Sequence, residues 1–292
     1  MRIAAFTMVH NEADFLPLWV SHYGREIGHE NLYCIDHGSD DGSIEAADIH
    51  VTRFARGPFD ETIRAFLVAN FHASLLRSHD AVIFADADEF LVADPARFQG
   101  LRDAIAGGAA PVQRALGLDV FHDVARETGL DRALPVFAQR RRVRFARHYC
   151  KTLIASVPLR WGVGFHACST YVEPRGDLFL FHLKYADRDI FTRTLAARRQ
   201  VERSANDAQK GHGYQWQMDE AKYLALAYAN EALSPPGGDA ALEPFDAYVA
   251  RWRQAVITHA PIPDQWLTPP AILPERFRDS IPGISDPRRA SS

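Results

Sequence analysis

Cysteine is scarce in this chain. Cys34, Cys150 and Cys168 are an odd three in 292 residues, with no metal-type spacing. That usage argues against a disulfide framework and suits a reducing cytosol. Cys34, in an apolar run, reads as a buried thiol. No stretch approaches the ~20 apolar residues of a membrane span. Residues 1–9 are too short, and too soon followed by His10-Asn11-Glu12, to be a signal peptide. The expectation is a soluble, cytoplasmic protein. A large charge excess is missing too: the formal net charge of −4 gives no global electrostatic case for nucleic acid or anionic membrane.

Several nucleotide and hydrolase motifs are also absent. No Gly-x-Gly-x-x-Gly follows the first apolar run, which weakens a dinucleotide-binding oxidoreductase, and no Gly-x-x-x-x-Gly-Lys-Ser/Thr marks a P-loop. No Gly-x-Ser-x-Gly elbow supports an α/β-hydrolase. A phosphoaspartyl hydrolase would want paired Asp residues after its first strand, with a hydroxyl residue soon after. Here the pair comes much later.

What is present is an ordinary globular composition, 47% hydrophobic and 24% charged, over a length that allows one large domain or a core with an appendage. Apolar runs predict strands over 2–9, 31–35, 49–54 and 81–85, and helices over 14–27 and 61–76. Phe15, Trp19, Tyr23 and Ile27 form a core stripe on the first helix, which Gly28 ends. Asp36-His37-Gly38-Ser39-Asp40-Asp41-Gly42-Ser43 is a turn-rich loop with capping residues for a short helix. This alternation predicts a doubly wound α/β sheet with right-handed crossovers. Shorter strands are expected over 112–121, 136–145, 152–157, 165–172 and 178–183, some of them antiparallel. Helical patterns follow over 187–232 and 246–257. Residues 234–238 read as a loop, and the last thirty-odd residues as a Pro-rich extended tail. The basic run over 140–147 reads either as a solvated face or as a contact for an anionic substrate, a phosphate or a membrane surface.

The most informative stretch is Ala81-Val82-Ile83-Phe84-Ala85-Asp86-Ala87-Asp88-Glu89-Phe90, where a buried strand ends in paired acids. Two such carboxylates repel each other unless a cation lies between them. Either they cap the strand end, or they hold a divalent metal shared with a phosphate-bearing ligand. Asn11-Glu12, Asp36 with Ser39-Asp40, and Asp86-Ala87-Asp88 all follow predicted strands. In a parallel sheet those carboxyl ends line one cleft.

The order of these pieces resembles the GT-A glycosyltransferases, in particular the family 2-like and family 92-like group. Val9-His10-Asn11-Glu12-Ala13-Asp14-Phe15-Leu16-Pro17-Leu18-Trp19 is similar to that group's opening Asn-Glu and Leu-Pro-x-Trp helix. Asp36-His37-Gly38-Ser39-Asp40-Asp41-Gly42 resembles its Asp-x-Ser-x-Asp-Gly loop, with Gly38 inserted. Asp86-Ala87-Asp88-Glu89-Phe90 resembles its Asp-x-Asp-Glu-Phe metal signature. Downstream, Lys151, Gly164-Phe165-His166 and His182 are similar to the group's lysine, Gly-x-His and late strand-end histidine. The close likeness covers residues 1–95 and thins afterwards.

The resemblance implies a GT-A fold: a mostly parallel sheet with a short antiparallel part, C-terminal helices and an extended tail. Residues 1–190 would form the nucleotide-sugar-binding and catalytic domain, with 191–292 packed on it. It implies a metal-dependent, inverting transfer of a sugar from a nucleoside diphosphate sugar, with UDP favoured, to a glycan or lipid-linked acceptor. Asp88 and His182, with Asp86, would hold Mn²⁺ or Mg²⁺, and imidazole suits Mn²⁺ better. Asn11, Glu12, Asp36, Ser39 and Asp86 would contact the donor, and Lys151 its diphosphate. Asp119 is the favoured catalytic base, with Asp123 and Asp219 as the alternatives. Gly211-His212-Gly213-Tyr214-Gln215-Trp216 reads as a lid or as a helix start with a packed Trp. A cytoplasmic location, with peripheral contact at the inner membrane face left open, completes the expectation. The rival readings are a sugar-phosphate nucleotidyltransferase and a non-catalytic nucleotide-sugar-binding module.

Overall fold

The computed structural model describes residues 1–228, 238–264 and 266–284. In chain order the elements are β1 (Ile3–Val9), α1 (Leu16–Ile27), β2 (Leu32–Asp36), β3 (His50–Arg53), α2 (Glu61–Leu75), β4 (Ala81–Phe84), β5 (Glu89–Ala93), α3 (Leu101–Ala106), β6 (Val112–Phe121), α4 (Val136–Gln139), β7 (Arg142–Phe145), β8 (Thr152–Ala155), β9 (Pro174–Tyr185), α5 (Arg188–Arg199), α6 (Ala205–Gln209), α7 (Glu220–Tyr228), α8 (Phe245–Ile257) and β10 (Pro270–Ile272). One sheet carries all the strands in the order β10-β7-β6-β8-β4-β1-β2-β3, and β9 joins it by pairing with both β5 and β6. β1 runs parallel to β2 and β4, and β2 parallel to β3. Beyond β4 the ladders are antiparallel, except that β9 runs parallel to β6. The chain is therefore of the α/β class, with a parallel N-terminal half and an antiparallel continuation.

The apolar pattern accounts for the parallel half. β1 and β4 are buried on both faces, as central strands must be when helices cover the sheet. Phe15, Trp19, Tyr23 and Ile27 all lie in the core, and Gly28 ends α1 at φ 94°, a conformation that side chains with a Cβ rarely adopt. Asp60 caps α2 by accepting from the Thr62 and Ile63 N–H groups. Phe245, Tyr248, Trp252, Phe277 and Ile281 join the same core cluster as β1 and β4, so α8 and the tail pack on the main body. Among the described residues, no helix is long and apolar enough to cross a membrane.

Several local expectations are corrected. The loop after β2 forms turns rather than a short helix. Residues 136–145 are not one strand: after Pro135 the chain makes the single-turn α4 before β7 begins. Residues 165–172 form no strand. Gly164 (φ 68°) and Phe165 (φ 60°) turn the backbone into left-handed conformations that an extended ladder cannot hold. β5 and α3 went unpredicted. The basic run divides: Arg141 and Arg147 are exposed, and its other three arginines turn inward. Arg140, Arg142 and Arg144 are buried; Arg140 donates to the Ala186 and Thr128 carbonyls, and Arg142 pairs with Asp123 at 3.2 Å and with Asp239. The tail contributes β10 as an edge strand beside β7. Residues 229–232 of the predicted helical stretch, residues 234–237 of the expected loop and 285–292 of the tail lie outside the described residues.

Candidate functional site

The carboxyl ends of β1 and β4 open onto a cavity of about 580 Å³, closed on its far side by α5 and Trp216. Asn11 on the cavity wall is tied to Ser39 and Asp40, and through Ser39 to Asp36, and these three do not line it. Asn11 takes a left-handed backbone (φ 56°), which Asn tolerates better than most residues. Its N–H donates to Ser39 Oγ (3.0 Å) and its side-chain amide to Asp40 Oδ1 (2.8 Å), while the Asp40 N–H donates back to Asn11 Oδ1 (2.9 Å). Asn11 and Ser39 thereby lock the first loop to the second. Asp36 is fully buried and does not line the cavity. It accepts from the Ser39 N–H (2.8 Å) and from Arg53 Nε (2.5 Å). Burial opposes its charge, but these donors hold its carboxyl below the usual range. The polar groups that the second loop was expected to offer a donor are spent on the first loop, on Arg53 and within the loop itself.

Glu12 does line the cavity. Burial pushes its carboxyl up to about 8, with Arg198 opposing and Asp88 and Asp86 adding to the rise.

The acids after β4 are held apart by the protein's own cations. Asp86 pairs with Arg64 of α2 and lies 3.7 Å from Lys151 Nζ. Glu89 and Lys151, both nearly inaccessible, form an ion pair at 2.5 Å. Burial pushes the Glu89 carboxyl up, against the pull of Lys151; burial also disfavours the Lys151 ammonium, but Glu89 and Asp86 outweigh it and push that group up. Asp88 Oδ2 lies 3.4 Å from His182 Nε2 and 3.9 Å from Arg198. His182 Nδ1 donates to Asp119 Oδ1 at 2.8 Å. Burial disfavours the imidazolium, but Asp88 and Asp119 outweigh it and push the ring up to about 9. Asp88 is correspondingly held well below the usual carboxylate range, despite burial.

Asp119, the favoured base, is buried behind His182 and does not line the cavity. Its Oδ1 is occupied by the ring and the residue does not reach the cavity, so the expectation that it faces an acceptor hydroxyl is corrected.

The donor set is compatible with a divalent ion. Two donors, Asp88 Oδ2 and His182 Nε2, lie 3.4 Å apart. They could share one ion with bonds of about 2.1 Å, the remaining positions falling to water and ligand oxygens. Among the described residues, no three His, Cys, Asp or Glu side chains form a complete cage. Asp86 is turned away from that pair toward Arg64 and Lys151.

Reading the sequence missed Arg64, Arg198, Lys184 and Tyr149, all on the cavity wall. Arg64 had a faint signal, sitting three residues after Glu61 on one helical face. Tyr149, stacked on His182 at 3.9 Å, had none. Trp216 lies against Phe59 and between the guanidinium groups of Arg198 and Arg203. It belongs to a 3₁₀ turn, Tyr214–Gln217, entered through Gly211 and Gly213 at positive φ. His166 lines the cavity and donates from Nδ1 to the His148 carbonyl.

No family model and no curated protein matches this sequence. Solved structures with a partial likeness include glucosyl-3-phosphoglycerate synthase from Mycobacterium tuberculosis in complex with phosphoglyceric acid. It is 16% identical, with 40% of this chain and 43% of that one covered, at a TM-score of 0.28. S. aureus TarS is 9% identical over 89% of this chain and 54% of its own, at 0.32. CMP:2-keto-3-deoxy-manno-octonic acid synthetase complexed with CTP is 13% identical over 75% and 86%, at 0.28. The chain thus spans about half or less of the first two. Likeness at this level carries no argument about activity, and the fold stands on its own topology.

Proposed function

We propose that this chain is a metal-dependent glycosyltransferase that moves a sugar from a nucleoside diphosphate sugar to an acceptor hydroxyl. The observation that carries the reading is the Asp88–His182 pair, facing a 580 Å³ cavity at the carboxyl ends of β1 and β4. The motif resemblance of residues 1–95 supports the substrate class. Mn²⁺, or Mg²⁺, would be held by Asp88 and His182, with Asp86 as a neighbour rather than a direct ligand. Such an ion neutralises charge building on a departing diphosphate.

The chain's own residues do the rest. Arg198 and Lys184 place positive charge on the wall beside Asp88 and stabilise the leaving diphosphate. Lys151 is engaged with Glu89 at 2.5 Å and lies 3.7 Å from Asp86, and acts by anchoring both side chains at the cavity wall. Inversion requires a carboxylate beside the acceptor hydroxyl. Glu12, Glu61 and Glu202 line the cavity and are the groups to test for that role. UDP is the favoured nucleotide, and a surface glycan or lipid-linked acceptor at the inner membrane face the favoured setting.

The experiment is incubation with Mn²⁺ and a panel of nucleotide sugars and acceptors. Release of nucleoside diphosphate is expected. Release of pyrophosphate from a nucleoside triphosphate and a sugar phosphate would replace this reading with a nucleotidyltransferase. Tight donor binding without turnover on any acceptor would leave a binding module.

A further inference from the structure

β9 lies between β5 and β6, and its register builds a charged row across four strands. His182 is the direct partner of Glu89 on β5 and of Asp119 on β6, and Asp119 is the partner of Arg144 on β7. Directly paired residues point to the same face. All four are buried, and their charges alternate: acid, base, acid, base.

A carboxylate can only accept, so the His182–Asp119 contact at 2.8 Å puts a ring proton on Nδ1. Nε2 faces Asp88 and the cavity, and must release its own proton for a cation to bind there. The ring's flat side is covered by Tyr149, stacked at 3.9 Å and 25°. Tyr149 reaches it because Gly117 on β6 has no side chain: a Cβ there would lie 2.3 Å from the Tyr149 carbonyl carbon. Gly117 precedes Asp119 by two residues on the same face of β6.

We propose that Asp119 is a positioning residue, which fixes His182 in the orientation that aims Nε2 at a divalent cation shared with Asp88. Without Asp119, a half-turn of the ring would exchange nitrogen for carbon at the cavity. Arg144 is the partner of Asp119 on the far strand; burial lowers its guanidinium, and Asp119 is the first group to oppose that. The role rests on the metal reading above, but the Asp119–His182 contact can be tested without metal.

Two readouts decide it. In ¹⁵N-histidine-labelled protein, His182 should show an exchange-protected, downfield Nδ1 proton with or without Mg²⁺. In Asp119→Leu that proton is lost and Mn²⁺ affinity, titrated by electron paramagnetic resonance, falls about 10–100-fold. Asp119→Asn keeps an acceptor oxygen, so it should keep the proton, shifted upfield, with an affinity between the two. A folded Asp119→Leu that retains the protected proton or the wild-type Mn²⁺ affinity overturns the proposal. Should Asp119→Leu not fold, an Asp119→Asn protein unchanged in both shift and affinity overturns it. Wild-type protein that binds no Mn²⁺ while showing the Nδ1 proton refutes the cation reading and leaves the Asp119–His182 contact standing.

Discussion

The parallel and antiparallel halves of the sheet spend their polar residues differently. After β1 and β2, Asn11, Asp36, Ser39 and Asp40 bond almost entirely to one another and to Arg53. They shape two loops, which reach the cavity wall through His10, Asn11, Glu12 and His37. Around β5, β6 and β9, polar groups far apart in sequence meet as buried ion pairs: Glu89 with Lys151, Asp88 with His182, His182 with Asp119. The first half builds the rim and the second supplies the charged wall. A motif that is easy to read can thus be scaffold, while the reactive arrangement comes from strand register.

If that division is right, the two halves should fail differently. The largest effect is expected at Lys151. Lys151→Met leaves the buried Glu89 carboxyl without its partner, which should cost about 3–5 kcal/mol in urea unfolding. Lys151→Met with Glu89→Leu should recover more than half of that loss. A single substitution within 1 kcal/mol of wild type would show the pair to be better solvated than its burial implies.

In the parallel half the losses should be smaller. Asn11→Ala places an ordinary side chain at φ 56° and removes the reciprocal bonds to Asp40, for an expected loss of about 1–2 kcal/mol by the same assay. Asn11→Gly should restore the backbone share. Asn11 lines the cavity, but its side chain is engaged with Asp40, so donor affinity should drop only a few-fold, and a larger drop would place that side chain on the ligand.

The smallest effect is a pH dependence. Asp36 is held below its ordinary value by Ser39 and Arg53. Its contribution is present above the unfolded carboxyl value of about 3.9 and is lost as pH falls through the folded value. Asp36→Asn should therefore flatten the fall in urea midpoint below about pH 4 and leave neutral-pH donor binding unchanged. An equally steep fall would mean other acids carry the transition.

The same contrast explains what was legible. The strands over 2–9 and 81–85 and the helix stripe from Phe15 to Ile27 were readable because burial imposes a period on sequence. The Asp86-Ala87-Asp88 turn was readable because charge after an apolar run is rare. That Asp36 faces inward depended on Arg53, seventeen residues away, and no local pattern announces such a partner. Asp119 was noticed as a carboxylate after a strand, but its partner follows from the β6–β9 register, which pairs residues 63 apart. Arg140 and Arg142 carry no local sign of burial, because charge is normally solvated. Their burial depends on Asp123, Asp187 and the carbonyls of other loops.

The central claim is that Asp88 and His182 together hold a divalent ion for a nucleoside diphosphate sugar. Isothermal titration of UDP-sugars into the full-length protein, with and without Mn²⁺, tests it most directly when wild type is compared with Asp88→Ala. The account predicts Mn²⁺-dependent binding in wild type and its loss, by at least about 100-fold or 2.7 kcal/mol, in the variant. Donor binding that is equally tight without Mn²⁺, or unchanged by Asp88→Ala, would contradict it.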